Sequence, residues 1–375
     1  MAEMLQTMKG AWKAPELRKK ILFTVFILMI YRLGNAVPVP YVDVALLKEY
    51  FDQNLSNTVL GLYNAMSGSA FSRATVFALS INPYINSSII MQLLCIAIPA
   101  LERLQKDGGE EGRKKIASIT RYVTVGLGLI MGFAYYSMLR NAHLLTQTGV
   151  LTGLVIVLTF TAGSAFIMWL GEQITEFGIG NGISIILFAS IISRIPSTVS
   201  TAITNIAGGA ESIFGVLLIL VLALALVVVI VFVNDSERRI PIQYAKQMRG
   251  RKMYGGQSTF LPIKVNMSGV MPIIFAQSIA SLPATILAFN DSSNDWAFTT
   301  VMRKITDTNG LIYAIVYFLL IIGFGYFYAA IQYNPIEIAN NLKKNGGFIP
   351  GFRPGKPTAD FITKVLNKIT MFGAL

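Results

Sequence analysis

The 375-residue sequence contains one cysteine, Cys95, and one histidine, His143. A single thiol excludes a disulfide within the chain, and the usual zinc or copper sites need more thiolate and imidazole ligands than these two. The sequence also lacks a Walker phosphate-binding motif, because Pro357 follows Gly355-Lys356 where that motif requires serine or threonine. We therefore expect no metal, no cofactor, no catalytic residue and no energy source within the chain.

Charged residues are also scarce. They make up 13% of the sequence, about half the share in a soluble domain, while 54% of the residues are apolar. Residues 213–233 and 311–333 contain no charged residue at all. Each run is long enough to cross a hydrocarbon core of roughly 30 Å as a helix. These absences predict an all-α fold, a polytopic bundle of transmembrane helices.

Apolar runs predict eight membrane spans and the start of a ninth near Ile369. The eight spans are expected at residues 20–37, 74–99, 116–139, 149–170, 181–196, 212–233, 267–289 and 310–332.

The distribution of basic residues predicts a cytoplasmic N-terminus. Five, five, seven and six Lys and Arg residues lie in the N-terminal tail, the second loop, the sixth loop and the segment after span eight. The opposite loops carry six in total. Positive charge favours the cytoplasmic side. One loop departs from this pattern, because residues 171–180 carry only Glu172 and Glu176 as charges.

The second span is unusually polar for a membrane helix. Such side chains are costly in lipid, so they should face protein or water. An equally good interpretation is that they only hold neighbouring helices together. On a helix, Ile81, Ile85, Ser88 and Gln92 share one stripe, which is apolar at one end and polar at the other. The polar residues of this span are Asn82, Asn86, Ser87, Ser88 and Gln92.

Two further segments differ from ordinary spans and loops. Residues 178–184 contain three alternating glycines, which allow a close approach or a sharp turn, although a plain helix start capped by Asn181 is also consistent. Residues 58–72 are moderately apolar, rich in small residues and too short to cross a membrane. They are either a re-entrant half-helix that dips back into the protein or an ordinary external loop.

Two cytoplasmic loops, 234–265 and 333–358, are longer than the topology requires. Both combine basic residues with aromatic and turn-forming residues. Basic loops often serve only to set orientation. Their length and composition nevertheless favour docking surfaces for ribosomal RNA or for an acidic protein face.

Four segments, residues 70–92, 178–184, 257–275 and 333–355, resemble signature segments of the SecY family in the same order and spacing. The resemblance implies ten spans in two pseudo-symmetric halves of five: residues 1–196, and residues 197–375 as an incomplete second half. It implies a protein-conducting channel that translocates unfolded, signal-bearing preproteins across the bacterial plasma membrane. Hydrophobic segments would leave it sideways into membrane lipid.

The resemblance also implies roles for particular residues. Residues 58–72 match a plug, with candidate residues Leu60, Tyr63, Asn64, Met66, Ser67 and Gly68. A ring of aliphatic side chains, which would exclude water and ions by dewetting, matches Ile81, Ile85, Ile183, Leu187 and Ile274. A lateral gate between spans two and three and spans seven and eight would be lined by Ser87, Ser88, Gln92, Ser278 and Ser281.

The implied partners are the membrane subunits SecE and SecG, and the SecA motor or a ribosome at the cytoplasmic loops. The residues that match these docking loops are Arg238, Arg239, Lys246, Arg249, Arg251, Lys252 and Arg353.

Three other classes of protein fit the composition less well. A small-molecule transporter usually carries ionisable groups near the middle of the membrane, and the spans here have almost none. A passive ion or water channel would not need two large basic loops. A membrane enzyme would need a nucleophile, base or metal constellation, and none is visible.

Overall fold

The computed structural model describes residues 12–56, 58–209, 212–244, 247–249, 252–254, 258–267, 269–289 and 297–374. The chain is mostly helical, which confirms the predicted fold class. It divides into two compact units. The first comprises residues 1–201 and 280–313, and the second comprises residues 202–279 and 314–375.

The first unit is helical and is formed mainly by consecutive elements of the chain. Short π-helical and 3₁₀ turns at Phe51–Leu55 and Phe71–Arg73 flank the third helix. Three helices, Ile195–Ala207, Met271–Phe289 and Leu311–Gln332, each have residues in both units. The helices of the first unit are α1 (Pro15–Gly34), α2 (Val44–Tyr50), α3 (Val59–Met66), α4 (Asn82–Ala97), α5 (Pro99–Lys106), α6 (Gly109–Asn141), α7 (Val150–Phe177), α8 (Gly182–Ile192), α9 (Ile195–Ala207), α11 (Met271–Phe289, in part) and α12 (Ala297–Thr306).

Small residues bring α6 and α7 close together. A Cβ atom added at Gly128 would lie 3.2 Å from the Ser164 hydroxyl oxygen, and one added at Gly132 would lie 3.3 Å from the Val157 carbonyl oxygen. Membrane helices associate through such close backbone contacts, because lipid offers no hydrophobic driving force between them. Towards one end of this pair, the ring of Tyr135 stacks on Phe71 at 4.4 Å between centroids and lies 4.9 Å from Phe160.

Five described helical segments are long and apolar enough to cross a membrane. Helix α1 is less uniform, because Arg18, Lys19 and Lys20 lie within it. In α11 the qualifying apolar stretch, Met271–Pro283, is short. The number of spans, eight, therefore stays a prediction. The multi-pass architecture is confirmed. The five segments are Gly109–Asn141, Val150–Phe177, Gly182–Ala207, Ile213–Asp235 and Leu311–Lys344.

The boundaries predicted for the second span were wrong at its beginning. Residues 74–81 form turns rather than helix, with positive φ at Ala74 (43°) and Ser80 (51°). Helix α4 begins only at Asn82, because Pro83 has no N–H group and fits the first turn of a helix. At the other end Pro99 forces Ile98 into an extended conformation, so α4 stops at Ala97 and α5 departs at 106°.

The fifth predicted span, 181–196, contains a break. Helix α8 ends at Ile192, and α9 begins at Ile195 after two turn residues. The predicted cap at its start is confirmed, because the Asn181 side chain accepts hydrogen bonds from the backbone amides of Ile183 at 3.0 Å and Ser184 at 3.3 Å. The three glycines therefore lead into a capped helix.

The second unit combines helices with a small β-sheet that the sequence analysis did not predict. Strands β1 and β4 pair antiparallel, and β5 pairs with the end of β1, giving the order β4-β1-β5. Strands β2 and β3 form a separate hairpin. The elements are α10 (Ile213–Asp235), β1 (Glu237–Tyr244), β2 (Gln247–Arg249), β3 (Lys252–Tyr254), β4 (Ser258–Lys264), α13 (Leu311–Gln332), α14 (Pro335–Lys344), β5 (Gly347–Phe348) and α15 (Lys356–Ala374).

The sheet covers the core of the second unit. Burial alternates along β1, so that Ile240 and Ile242 are buried while Arg239 and Pro241 are exposed. The buried face joins Leu342 of α14 in one apolar cluster that continues into α15. The ninth apolar run therefore belongs to a helix that begins well before Ile369, at Lys356.

Candidate functional site

The segment 58–72 folds back into the protein instead of forming an external loop. Helix α3 is eight residues long, and Val59 at its start is buried. Of the six candidate plug residues, Tyr63, Asn64 and Ser67 are buried, and Leu60, Met66 and Gly68 are half-buried. The short helix therefore occupies space inside the first unit.

Hydrogen bonds from Asn64 hold the turn that follows α3. Its side-chain oxygen accepts from the backbone amide of Ser72 at 2.9 Å, and its carbonyl oxygen accepts from the amide of Ser69 at 3.0 Å. The Ser67 hydroxyl donates to the same carbonyl at 3.0 Å and accepts from the amide of Phe71 at 3.2 Å. Because these buried groups satisfy one another, the turn has a defined shape without a regular ladder.

Gly68 brings this turn against the end of α8. Its φ is +66°, a conformation that favours glycine. A Cβ atom at this position would lie 3.0 Å from both the Ser190 carbonyl oxygen and the Ser193 hydroxyl oxygen. Ser190 also pairs with the hydroxyl of Tyr31 at 2.7 Å, which ties α8 to α1 at the same place.

The other contact of α3 is with the residues that precede α4. The Tyr63 hydroxyl lies 3.5 Å from the Leu79 carbonyl oxygen. Burial raises the pKa of the Tyr63 hydroxyl. Among the described residues, the Ser80 hydroxyl and the Asn82 amide nitrogen are buried without a hydrogen-bond partner. The residues against which α3 packs, 79–82, are therefore partly polar, and some of their buried polar groups lack a hydrogen-bond partner.

The candidate ring residues of the first unit lie at the starts of α4 and α8. Ile81 and Ile85 are buried, and in the sequence both lie shortly after Leu79, which α3 contacts. Ile183 and Leu187 are half-buried on α8. A Cβ atom added at Gly171 of α7 would lie 3.3 Å from Ile183 Cγ1, so Ile183 packs on α7. Ile274 is half-buried in α11, within the second unit.

The candidate gate residues divide between two roles. Ser87 is fully buried, and its hydroxyl donates to the Thr120 carbonyl oxygen at 2.7 Å, so it joins α4 to α6. Ser88 is half-buried beside Tyr84, and Gln92 is exposed. On α11, the Ser278 hydroxyl donates to the Ile274 carbonyl oxygen at 2.9 Å, and Ser281 is buried. For Ser87 the structure supports the helix-joining alternative.

An ion pair accounts for the acidic residue in the loop that departs from the charge pattern. Glu172 lies on α7 rather than in a loop, and its carboxylate lies 2.9 Å from Arg121 Nε on α6. Because α7 continues to Phe177, the residues between α7 and α8 are fewer than the predicted loop 171–180, and they carry no charge.

The two predicted docking loops belong to one sheet. Gln243 pairs with Phe348, and Tyr244 pairs with Gly347, which joins loop 234–265 to loop 333–358. Arg238 and Arg239 are exposed on β1. Arg249 and Lys252 are backbone partners in the register of the β2–β3 hairpin. Lys246 and Arg251 lie outside the described residues.

Arg353 is exposed in a glycine-rich turn after β5. Gly351 and Gly355 on either side have φ of +88° and +105°. The Thr358 hydroxyl donates to the Arg353 carbonyl oxygen at 2.8 Å, and the ring of Phe352 packs on Phe361 at 4.3 Å between centroids. The turn is therefore anchored to α15 on both sides of the arginine, whose guanidinium is presented to the surroundings.

The family model for SecY matches residues 75–375 of the chain. The chain belongs to the SecY family. The protein translocase subunit SecY of Streptomyces scabiei is 45% identical over 385 residues, which cover 99% of this chain and 87% of that protein. The resemblance that was read from four segments is thereby confirmed over nearly the whole chain.

Two solved channel structures share the fold. A SecY structure, described for a plug domain that stabilises the closed state of the translocation channel and maintains a membrane seal, superposes with a TM-score of 0.63 at 18% identity. The alignment covers 95% of this chain and 83% of that one. Sec61 in the canine ribosome–channel complex superposes with a TM-score of 0.58 at 15% identity, covering 95% and 83%.

These similarities establish a multi-pass membrane protein and a subunit of a protein-conducting translocation channel. The rival small-molecule transporter is not supported. The sequence analysis missed the sheet that joins the docking loops. The alternation of exposed Arg239 and Pro241 with buried Ile240 and Ile242 was the available signal, because a period of two is typical of a half-buried strand.

Proposed function

We propose that the chain conducts unfolded, signal-bearing preproteins across the bacterial plasma membrane, with its N-terminus in the cytoplasm. SecE and SecG would complete the channel within the membrane. Because the sequence holds no nucleotide-binding motif, the SecA motor or a translating ribosome would supply the energy.

The observation that carries this proposal is the position of α3. A helix too short to span is buried between the residues that precede α4, which Tyr63 contacts, and the end of α8, which Gly68 contacts. This is the arrangement expected of a plug, because a pore wide enough for a polypeptide needs a removable closure. We assign residues 58–72 to that closure.

The pore ring is proposed beside the start of α4 and along α8. Ile81, Ile85 and Leu187 would form the aliphatic collar in this half of the channel, and Ile274 would contribute from the other half. Such a collar excludes water by dewetting but offers no strong contact to a passing chain. The halves are proposed as residues 1–196 and 197–375.

The lateral gate is proposed between α4 with α6 and α11 with α13. Ser88 and Gln92 on one side, with Ser278 and Ser281 on the other, would supply weak hydrogen bonds for closure. Ser87 would instead keep α4 and α6 together as one gate panel, since its hydroxyl already donates to α6. One such bond contributes about 0.6 to 1.7 kcal/mol in a membrane.

Crosslinking of an arrested preprotein tests the proposal. A preprotein with a stable folded domain at its end would be arrested in proteoliposomes that contain the chain with SecE, SecG and SecA. Photoreactive groups would be placed at residues 81, 85, 187 and 274. We expect adducts at these positions only when a signal sequence and ATP are present. The matched control is residue 130, an exposed position on α6. Adducts at residue 130 but not at the four ring positions would refute the assignment.

A further inference from the structure

An apolar groove of about 640 Å³ lies between α6 and α7 on the outside of the first unit. Leu129, Phe133, Leu154, Val157 and Leu158 line most of it, and Tyr136 and Arg140 line one end. The Tyr136 ring can form the floor of the groove because Gly153 has no side chain to displace it. A Cβ atom there would come within 2.8 Å of the Tyr136 ring, which lies across this position.

The length of the groove matches one leaflet of a bilayer. Leu129 and Arg140 are both on α6, and with a rise of about 1.5 Å per residue they lie about 16 Å apart along its axis. That is about half of a hydrocarbon core of roughly 30 Å. An apolar surface of this length that ends at a cation has the dimensions of one acyl chain beneath a headgroup.

The charge at the rim selects the headgroup. Arg140 is exposed and makes no ion pair within the part of the chain that the structure describes. The sequence has no Asp or Glu between Glu111 and Glu172, so the α6–α7 hairpin brings no acid of its own to this end. Asp43, whose amide pairs with Leu144 in the connecting loop, directs its carboxylate to the amides of Ala45 and Leu46.

We infer that this groove binds an anionic phospholipid. One acyl chain lies along Phe133, Leu154 and Leu158, and the phosphate group contacts the Arg140 guanidinium. The lipid occupies the leaflet opposite the basic loop that precedes α6. The start of α7, where Gly149 forms no side-chain cap, adds unpaired backbone amides at the same rim. The inference goes beyond protein conduction and does not depend on it.

Tryptophan quenching by brominated lipid tests the site without measuring transport. Val150 lines the groove and is exposed, whereas Leu151, the next residue, is exposed but outside the lining. The assembled membrane complex would be reconstituted with Val150→Trp or Leu151→Trp. Each sample would contain brominated phosphatidylglycerol or brominated phosphatidylcholine. The signal of the three native tryptophans would be subtracted by using the parent protein.

We expect phosphatidylglycerol to be favoured about fivefold at position 150, the effect of one basic residue near a lipid surface, and not at position 151. Arg140→Gln should remove the preference. Lys48→Gln, which removes an exposed charge of α2, should leave it intact. Equal quenching by both lipids at position 150 would overturn the inference. Absence of quenching by either lipid at position 150 would also overturn it, because a protein subunit would then cover the groove.

Discussion

At the scale of single residues, Gly68 determines how closely the proposed plug, residues 58–72, approaches α8. We expect Gly68→Ala to loosen the plug, because the left-handed conformation costs other residues about 1 to 2 kcal/mol and the new Cβ would crowd Ser190 at 3.0 Å. One to two kcal/mol is a shift of about 5- to 30-fold in a two-state equilibrium. Resting ion conductance in planar bilayers should rise accordingly.

A matched control separates backbone strain from contact with α8. Gly209 has a similar φ of +70°, but no atom lies within 4 Å of an added Cβ. Gly209→Ala should therefore leave the resting conductance of the channel unchanged. If both variants conducted like the parent protein, the contact between Gly68 and Ser190 would have no part in closure.

Arg353 is the second residue whose role can be tested alone. We expect Arg353→Glu to abolish driven translocation while abundance and assembly with SecE stay normal, and Arg353→Lys to be impaired less. Loss of a hydrogen-bonded charge pair at a buried interface costs about 2 to 5 kcal/mol, and lysine cannot reproduce the planar fork of arginine. Export in a reconstituted system is the measurement.

Lys356 offers the control for net charge. It is exposed at the start of α15, within the predicted loop 333–358 and three residues further along the chain. Lys356→Glu changes the loop charge by the same amount and should leave export near normal. Export rates that fall equally for both charge reversals would show that the loop acts only through its overall charge.

At the scale of elements, the pairing of β1 with β5 joins the two predicted docking loops. A Cβ atom at Gly347 would lie 3.0 Å from the Tyr244 ring and 3.3 Å from Ile242 Cγ2. We expect Gly347→Val to separate the loops, because overpacking costs about 1 to 3 kcal/mol. Binding of SecA or ribosomes should then weaken by at least about fivefold, the factor that corresponds to about 1 kcal/mol.

Sedimentation of the membrane complex with either partner would measure this effect. Thr259→Val serves as the control, because it changes an exposed position of β4 and preserves the shape of the side chain. Undiminished partner binding by the Gly347→Val complex would show that the loops dock independently of each other.

At the scale of the whole molecule, we propose that closure combines the proposed plug with the proposed ring. We expect the triple change of Ile81, Ile85 and Leu187 to serine to wet the collar and raise permeability to small ions, with protein export retained, because dewetting requires an apolar constriction. Ile90→Ser, at an exposed position of α4, should have no effect. Ile183 is left unchanged because its side chain packs on Gly171. Ion flux equal to that of the parent protein would place the constriction elsewhere.

The sequence by itself determined the fold class and indicated the cap at Asn181, but it left residues 58–72 open between a re-entrant half-helix and an external loop. The first two features depend on local composition, namely apolar runs longer than a bilayer and a capping side chain. They do not require knowledge of which segments meet. The family could also be recognised from the sequence alone, because the order of four motifs along the chain does not depend on how the chain folds.

The tertiary structure decided the features that depend on contacts between distant residues. Ser87 could have faced a gate or a neighbouring helix, and only its 2.7 Å hydrogen bond to Thr120 places it between α4 and α6. The two predicted docking loops are about one hundred residues apart, and only the pairing of β1 with β5 shows that they meet. Burial and hydrogen-bond partners are set by what packs alongside, which a one-dimensional pattern does not contain.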